Sequence, residues 1–181
     1  PREGPLVEGS AGSGEGREIG VSLATPKSVQ KLQAALHGKA KQVPGHRFHS
    51  LYDKVYRADV LAHAYDRCKA NGGAAGADGQ TFEDIEFAGR TAWLDALAKD
   101  LREGTYQPGP IRRVFIPKPD GKQRPLGIGT IRDRVAQMAV ALVLEPIFET
   151  DLQPEQYAYR PGRSALEAVR QVHALLNAGH T

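Results

Sequence analysis

Apolar positions recur at helical spacing in five stretches of this chain and at strand spacing in one. Val29, Leu32, Leu36 and Val43 form one stripe, with Thr25 or Ser28 as candidate caps and Pro44 as a stop. A second helix is expected from about Asp53 to Ala70, where Leu61, Tyr65 and Cys68 share a face and Asn71-Gly72-Gly73 ends it. A third, Thr91 to Arg102, aligns Leu94, Leu97 and Leu101. Ile131 to about Phe148 is apolar almost all round between Val135 and Leu144, the mark of a helix covered on most sides. A last helix starts at a Ser164 cap and aligns Ala165, Val169, Val172 and Leu176. The glycine-rich segment "GAAGADGQTFEDIE" reads as loop, and the Gly/Ser-rich tail 1–22 has too little to bury and reads as disordered.

The strand pattern lies in "RRVFIPKPDGKQRPLGIG", Arg112 to Gly129. Two apolar runs, "VFIP" and "PLGI", flank "KPDGK", in which Pro119 suits the first central position of a type I turn and Gly121 the left-handed position after it. A three-residue loop makes the numbers of facing residues sum to about 240, so Arg112, Val114, Ile116, Lys118, Arg124, Leu126 and Ile128 share one face. Three cations then surround an apolar floor, an arrangement that suits a nucleotide: phosphates meet Arg and Lys while a base or sugar rests on the strip. A two-residue loop of Asp120 and Gly121 would slip the pairing by one and split the cations between faces, and a solvated hairpin with charges that protect an edge is the plainer alternative.

Charge sharpens this picture. The 181 residues carry a net +3, but Gln107 to Arg134 holds seven Lys/Arg against two acids, a local +5 that leaves −2 for the remainder. Arg113, Lys122, Arg132 and Arg134 join the hairpin cations as candidate contacts to the phosphates of a polyanion. Arg132 and Arg134 either bind phosphate near a helix start or pair with Asp133 and Glu145. Trp93 reads as core rather than base-stacking, whereas Tyr157 and Tyr159 are left open between the two. One cysteine, Cys68, excludes an internal disulfide, and neither it nor the six histidines have metal-ligand spacing. No signal peptide or membrane span is read, so a soluble protein of a reducing cytoplasm is expected.

"GADGQTFEDIE", "LREGTYQPGPIRRVFIPKPDGKQRPLGIGTIRDRVAQ", "LEPIFE" and "YRPGRSA", in this order, resemble the amino-terminal blocks of bacterial group II intron reverse transcriptases, the intron-encoded maturases. Gly129 stands where that family has proline, and Ala158 where it has glycine. The resemblance implies an α+β fold: mostly helical fingers with a β-hairpin over 23–157, and the start of a right-hand polymerase palm over 158–181. It also implies that Lys118 and Arg124 hold the triphosphate of a dNTP, with Arg112 nearby and Ile128 against the templating base. Arg160 and Arg163 would lie near nucleic acid, the partner being template or intron RNA or an RNA/DNA hybrid. The family polymerises with Mg2+ on palm aspartates that do not occur before Thr181, so no metal site and no catalytic residue is assigned, and no polymerase activity is expected of this polypeptide alone. A non-catalytic, maturase-like RNA-binding protein is the alternative. A remnant without a stable fold is a third, in which the apolar Val135–Leu144 surface faces a missing palm and favours self-association.

Overall fold

A computed structural model describes residues 23–43, 45–160 and 162–179; the tail 1–22 and Pro44 lie outside them. The described residues form seven helices and one two-stranded antiparallel sheet, so the mixed, mostly helical class expected from the sequence is the one observed. The helices are α1 (Lys27–Gln42), α2 (Tyr52–Val55), α3 (Ala58–Ala70), α4 (Phe82–Ala88), α5 (Arg90–Glu103), α6 (Ile131–Phe148) and α7 (Ala165–Asn177). Strands β1 (Arg112–Pro117) and β2 (Gln123–Ile128) lie between α5 and α6.

Helix α6 is the centre of the core. Its Ile131, Val135, Ala139, Leu142 and Val143 are buried against Val29, Leu32 and Leu36 of α1 and Val60, Leu61, Ala64 and Tyr65 of α3. Burial of each large apolar side chain contributes roughly 1.5–3 kcal/mol, which is why an almost wholly apolar helix settles between two others. Most of its apolar surface is therefore covered within this chain, while Val140, inside the Val135–Leu144 run, stays 39% exposed. The uncovered stripe lies on α7, where Leu166, Val169, Val172, Leu175 and Leu176 are all exposed.

Three local differences from the sequence expectation have identifiable causes. The helix expected over 53–70 breaks at Arg57, whose backbone is extended (φ −62°, ψ 137°). Its guanidinium makes a two-pronged contact with Asp59, 3.0 and 2.8 Å, and Asp59 also accepts the Val60 N–H, so local polar bonding replaces a continuous helix. Helix α4 lies inside a segment read as loop. All the glycines precede Gln80, and Thr81 with Asp84 forms a reciprocal capping box that starts a helix and buries Phe82 and Ile85. At α1 the cap position falls to Pro26, with no side-chain cap from Thr25 or Ser28. Ser164 caps α7 as expected, in a capping box with Glu167.

Pro146 sits inside α6 and lacks the N–H that would bond the Leu142 carbonyl four residues back. Gln33 on α1 donates its Nε2 to that carbonyl at 3.0 Å. One turn further along α1, His37 Nδ1 lies 3.1 Å from the Pro146 carbonyl. A helix defect thus becomes the polar register between α1 and α6. Replacing Gln33 with Leu should cost about 1–2 kcal/mol in urea unfolding, as an acceptor loses its partner. The same change made together with Pro146→Ala should cost markedly less, because the restored backbone N–H takes over the carbonyl; equal costs in the two backgrounds would contradict this account.

Candidate nucleic-acid interface

The hairpin register is Arg112 opposite Ile128, Val114 opposite Leu126, Ile116 opposite Arg124 and Pro117 opposite Gln123. The Lys118 N–H donates to the Lys122 carbonyl at 2.7 Å, and Gly121 closes the three-residue loop at φ 79°. This is the pairing expected from the sequence, and the two-residue alternative is set aside. Arg112, Lys118 and Arg124 accordingly share a face with Val114, Ile116, Leu126 and Ile128. Lys118 and Arg124 sit towards the tip, while Arg112 and Ile128 pair at the root, roughly 13 Å from Arg124 at about 3.3 Å per strand residue. Among the described residues, no hydrogen bond or ion pair engages the side chain of Arg112, Arg113, Lys118 or Arg124; Lys122 lies 4.0 Å from Asp120.

What aims the hairpin is a buried carboxylate that the sequence reading did not single out. Asp133, in the first turn of α6, is 5% exposed. It accepts hydrogen bonds from the Tyr106 hydroxyl, from Thr130 Oγ1 at 2.8 Å and from the Gly109 N–H at 3.1 Å. Gly109 lies on the way into β1 and Thr130 follows the end of β2, so one side chain ties both ends of the hairpin to α6. Two glycines permit the approach. A Cβ on Gly109 would stand 2.7 Å from the Thr130 methyl, and one on Gly76 would stand 2.7 Å from the Thr130 Cα. The available sequence signal was Thr130-x-x-Asp133, a helix-start pattern; the bonds from Tyr106 and Gly109 were invisible without the fold.

Burial by itself would raise the Asp133 pKa, but the bonds from Tyr106, Thr130 and Gly109 favour the charged form more strongly and hold it below the ordinary carboxylate value. Burial first, and then the negative neighbour, push the Tyr106 hydroxyl up, so it remains a donor.

The remaining candidate cations divide into two sets. Arg132 pairs with Asp100 of α5, not with Asp133 or Glu145. Arg134 donates to the Ala74 carbonyl at 3.0 Å and lies over the Phe82 ring, while its Nε is buried without a hydrogen-bond partner among the described residues. Arg160 binds Glu149 and the carbonyls of Gln153 and Gln156 at 2.8 and 2.9 Å. These three hold the protein's own loops. Arg163, by contrast, is exposed and lies over the Tyr157 ring at 5.3 Å. Tyr159 is fully exposed, with a left-handed backbone (φ 61°). Trp93 packs against the core and donates Nε1 to Gln80 at 3.1 Å, as a core residue should.

At the hairpin root an apolar cavity of about 840 Å³ is lined by Leu126, Ile128, Tyr106, Asp133, Arg134 and Val140, among others. It lies beside Ile128 and away from Lys118 and Arg124, which are not in its lining. No group of three or more His, Cys, Asp or Glu side chains converges among the described residues, so they do not fit the Mg2+ ions of polymerase chemistry. No described helix is long and apolar enough to cross a membrane.

A two-stranded basic hairpin fixed at its base to a helical body defines an α+β protein with a positively charged strand face. Comparison with known proteins gives that class a lineage. The chain is 37% identical over 146 residues to Protein YkfC of Escherichia coli, covering 80% of this chain and 38% of that protein. It is 34% identical over 133 residues to the Group II intron-encoded protein LtrA of Lactococcus lactis, covering 69% of this chain and 21% of LtrA. It is 30% identical over 123 residues to a putative COX1/OXI3 intron 1 protein of Saccharomyces cerevisiae, covering 68% of this chain and 14% of that protein. No protein-family model matches. The chain is related to the group II intron-encoded proteins, and it spans well under half the length of these relatives.

The Asp133 knot is open to test. Asp133→Asn keeps the shape but turns one acceptor into a donor facing Tyr106 or Gly109, and should cost about 2–3 kcal/mol in urea unfolding at neutral pH. Because the folded pKa is depressed, the stabilisation is complete above the unfolded value of about 4 and is lost as pH falls through the folded one. The difference between wild type and D133N should therefore be flat at neutral pH and shrink in strong acid; a difference that persists there would contradict the assignment.

Proposed function

We propose that this chain is the fingers portion, over 23–157, of a group II intron-type RNA-directed DNA polymerase, with 158–181 beginning the palm. Lys118 and Arg124 bind the triphosphate of an incoming dNTP, Arg112 lies beside it, and Ile128 packs on the templating base. Support comes from one observation above all: three cations without partners among the described residues share a strand face with Ile128. Arg113, Lys122 and Arg163 are exposed and supply phosphate contacts to template or intron RNA, or to an RNA/DNA hybrid. Arg132, Arg134 and Arg160 contribute by holding the surrounding loops, since their guanidinium groups are engaged internally.

The chemistry of polymerisation would come from Mg2+ held by carboxylates, and the described residues offer no such cluster. A second reading is a maturase-like RNA-binding role without DNA synthesis. The two share the hairpin and differ in whether a metal-binding palm works with it. The purified 181-residue chain is expected not to incorporate labelled nucleotide; incorporation at a rate above a mock preparation would overturn the assignment of catalysis to residues outside it.

Phosphate contacts make affinity fall with salt. Single changes of Arg112, Lys118 or Arg124 to Ala should each lower the slope of log affinity for RNA against log salt by about one where the contact is to RNA phosphate. The Lys118 and Arg124 variants should also weaken dNTP binding about tenfold or more. Wild-type slopes and dNTP affinities in all three variants would refute the roles given to them.

A further inference from the structure

The opposite face of the hairpin carries Arg113, Phe115 and Pro117 on β1, and Gln123, Pro125 and Gly127 on β2. All six are exposed, and Phe115 shows 54% of its surface to solvent in mid-strand. Its cross-strand neighbour is Pro125, a short ring that leaves the phenyl face uncovered. Gly127 has no side chain, and Ile111 occupies the gap: a Cβ on Gly127 would come within 2.8 Å of Ile111 Cγ2. An apolar strip therefore runs from Ile111 to Phe115, with Arg113 between them.

The charge on this strip selects its occupant. Neither strand contains an acid, and the hairpin's one acid, Asp120, is in the loop, where it caps the Lys122 N–H at 3.1 Å. From Arg112 to Ile128 there are five cations against that single acid, so a plain apolar partner would be a poor match and a polyanion a good one. An exposed aromatic flanked by a free guanidinium has the chemistry of a stacking platform, with the ring for a base and the cation for the adjoining phosphate.

We propose that this outward face is a second nucleic-acid contact, on which Phe115 stacks against an unpaired base of a single-stranded polynucleotide and Arg113 holds the neighbouring phosphate. The inference rests on the reading of the hairpin as a nucleic-acid-binding element but uses the face that the nucleotide does not. Every base has a π-face, so the platform has no sequence preference; it requires an unpaired base, so duplexes do not use it.

The test is anisotropy with the full chain and fluorescein-labelled 12-nucleotide oligo(U) RNA, oligo(dT) DNA and a blunt duplex. Phe115→Ala should weaken single-strand binding about five- to fifty-fold with no change in salt slope, and leave duplex binding alone. Arg113→Gln should lower the slope by about one. Phe115→Trp should bind like wild type and add a tryptophan signal, over that of Trp93, that is quenched on binding. A loss with both RNA and DNA marks stacking alone, and a loss with one strand type assigns the platform to it. Equal affinities of wild type and Phe115→Ala, or an equal loss with duplex, would overturn the proposal; if Lys118 and Arg124 variants still weaken binding, the function proposed for the other face survives. Failure of the wild type to bind any of the three probes would overturn both.

Discussion

The buried Asp133 carboxylate is the interaction on which the functional geometry depends. A two-stranded hairpin cannot fix its own direction, because it has no third strand to pair with and little core of its own. Here direction is imposed at the base. The carboxylate receives Tyr106, Gly109 and Thr130, which belong to the segment entering β1 and the turn leaving β2. Leaving such a charge in a dry site is tolerable only when its lone pairs are filled, and the three partners fill them. Aim and stability therefore come from the same bonds.

The same division of labour explains why the cations differ. Arg132, Arg134 and Arg160 are spent on the scaffold, bridging α6 to α5, α6 to the loop at Ala74, and Glu149 to the turn at Gln153 and Gln156. On the hairpin, Arg112, Arg113, Lys118 and Arg124 have no hydrogen-bond or ion-pair partner among the described residues, which keeps their charge available, and Lys122 lies 4.0 Å from Asp120. The scaffold arginines are engaged by the protein itself, and the strand-face cations of the hairpin are left bare. Helix α6 joins the two roles, since its first turn anchors the hairpin while its last two turns are registered to α1 by the bonds around Pro146.

Some of the candidate site could be read directly. The turn chemistry of "KPDGK" specified a three-residue loop, and the period of two in a strand then placed Arg112, Lys118, Arg124 and Ile128 together without any coordinates. Helix positions were legible for a similar reason: the stripes on α1, α3, α5 and α6 record which side each must bury. Where the reading failed, a local polar bond had competed with the pattern. Arg57 and Asp59 broke one helix, and Thr81 and Asp84 began another in a segment whose glycines had suggested only loop.

Element type, hairpin register and the concentration of positive charge thus follow from residue order, because each is set by neighbours a few positions apart. Which cations remain free does not. That depended on long-range encounters, Arg132 with Asp100 and Arg134 with Ala74, which no local spacing encodes. Nor did the apolar runs reveal which would be covered: most of α6 is packed by α1 and α3, while the equally regular stripe of α7 faces solvent. Burial and partner choice are properties of the packed chain, decided only when distant segments compete for the same surface.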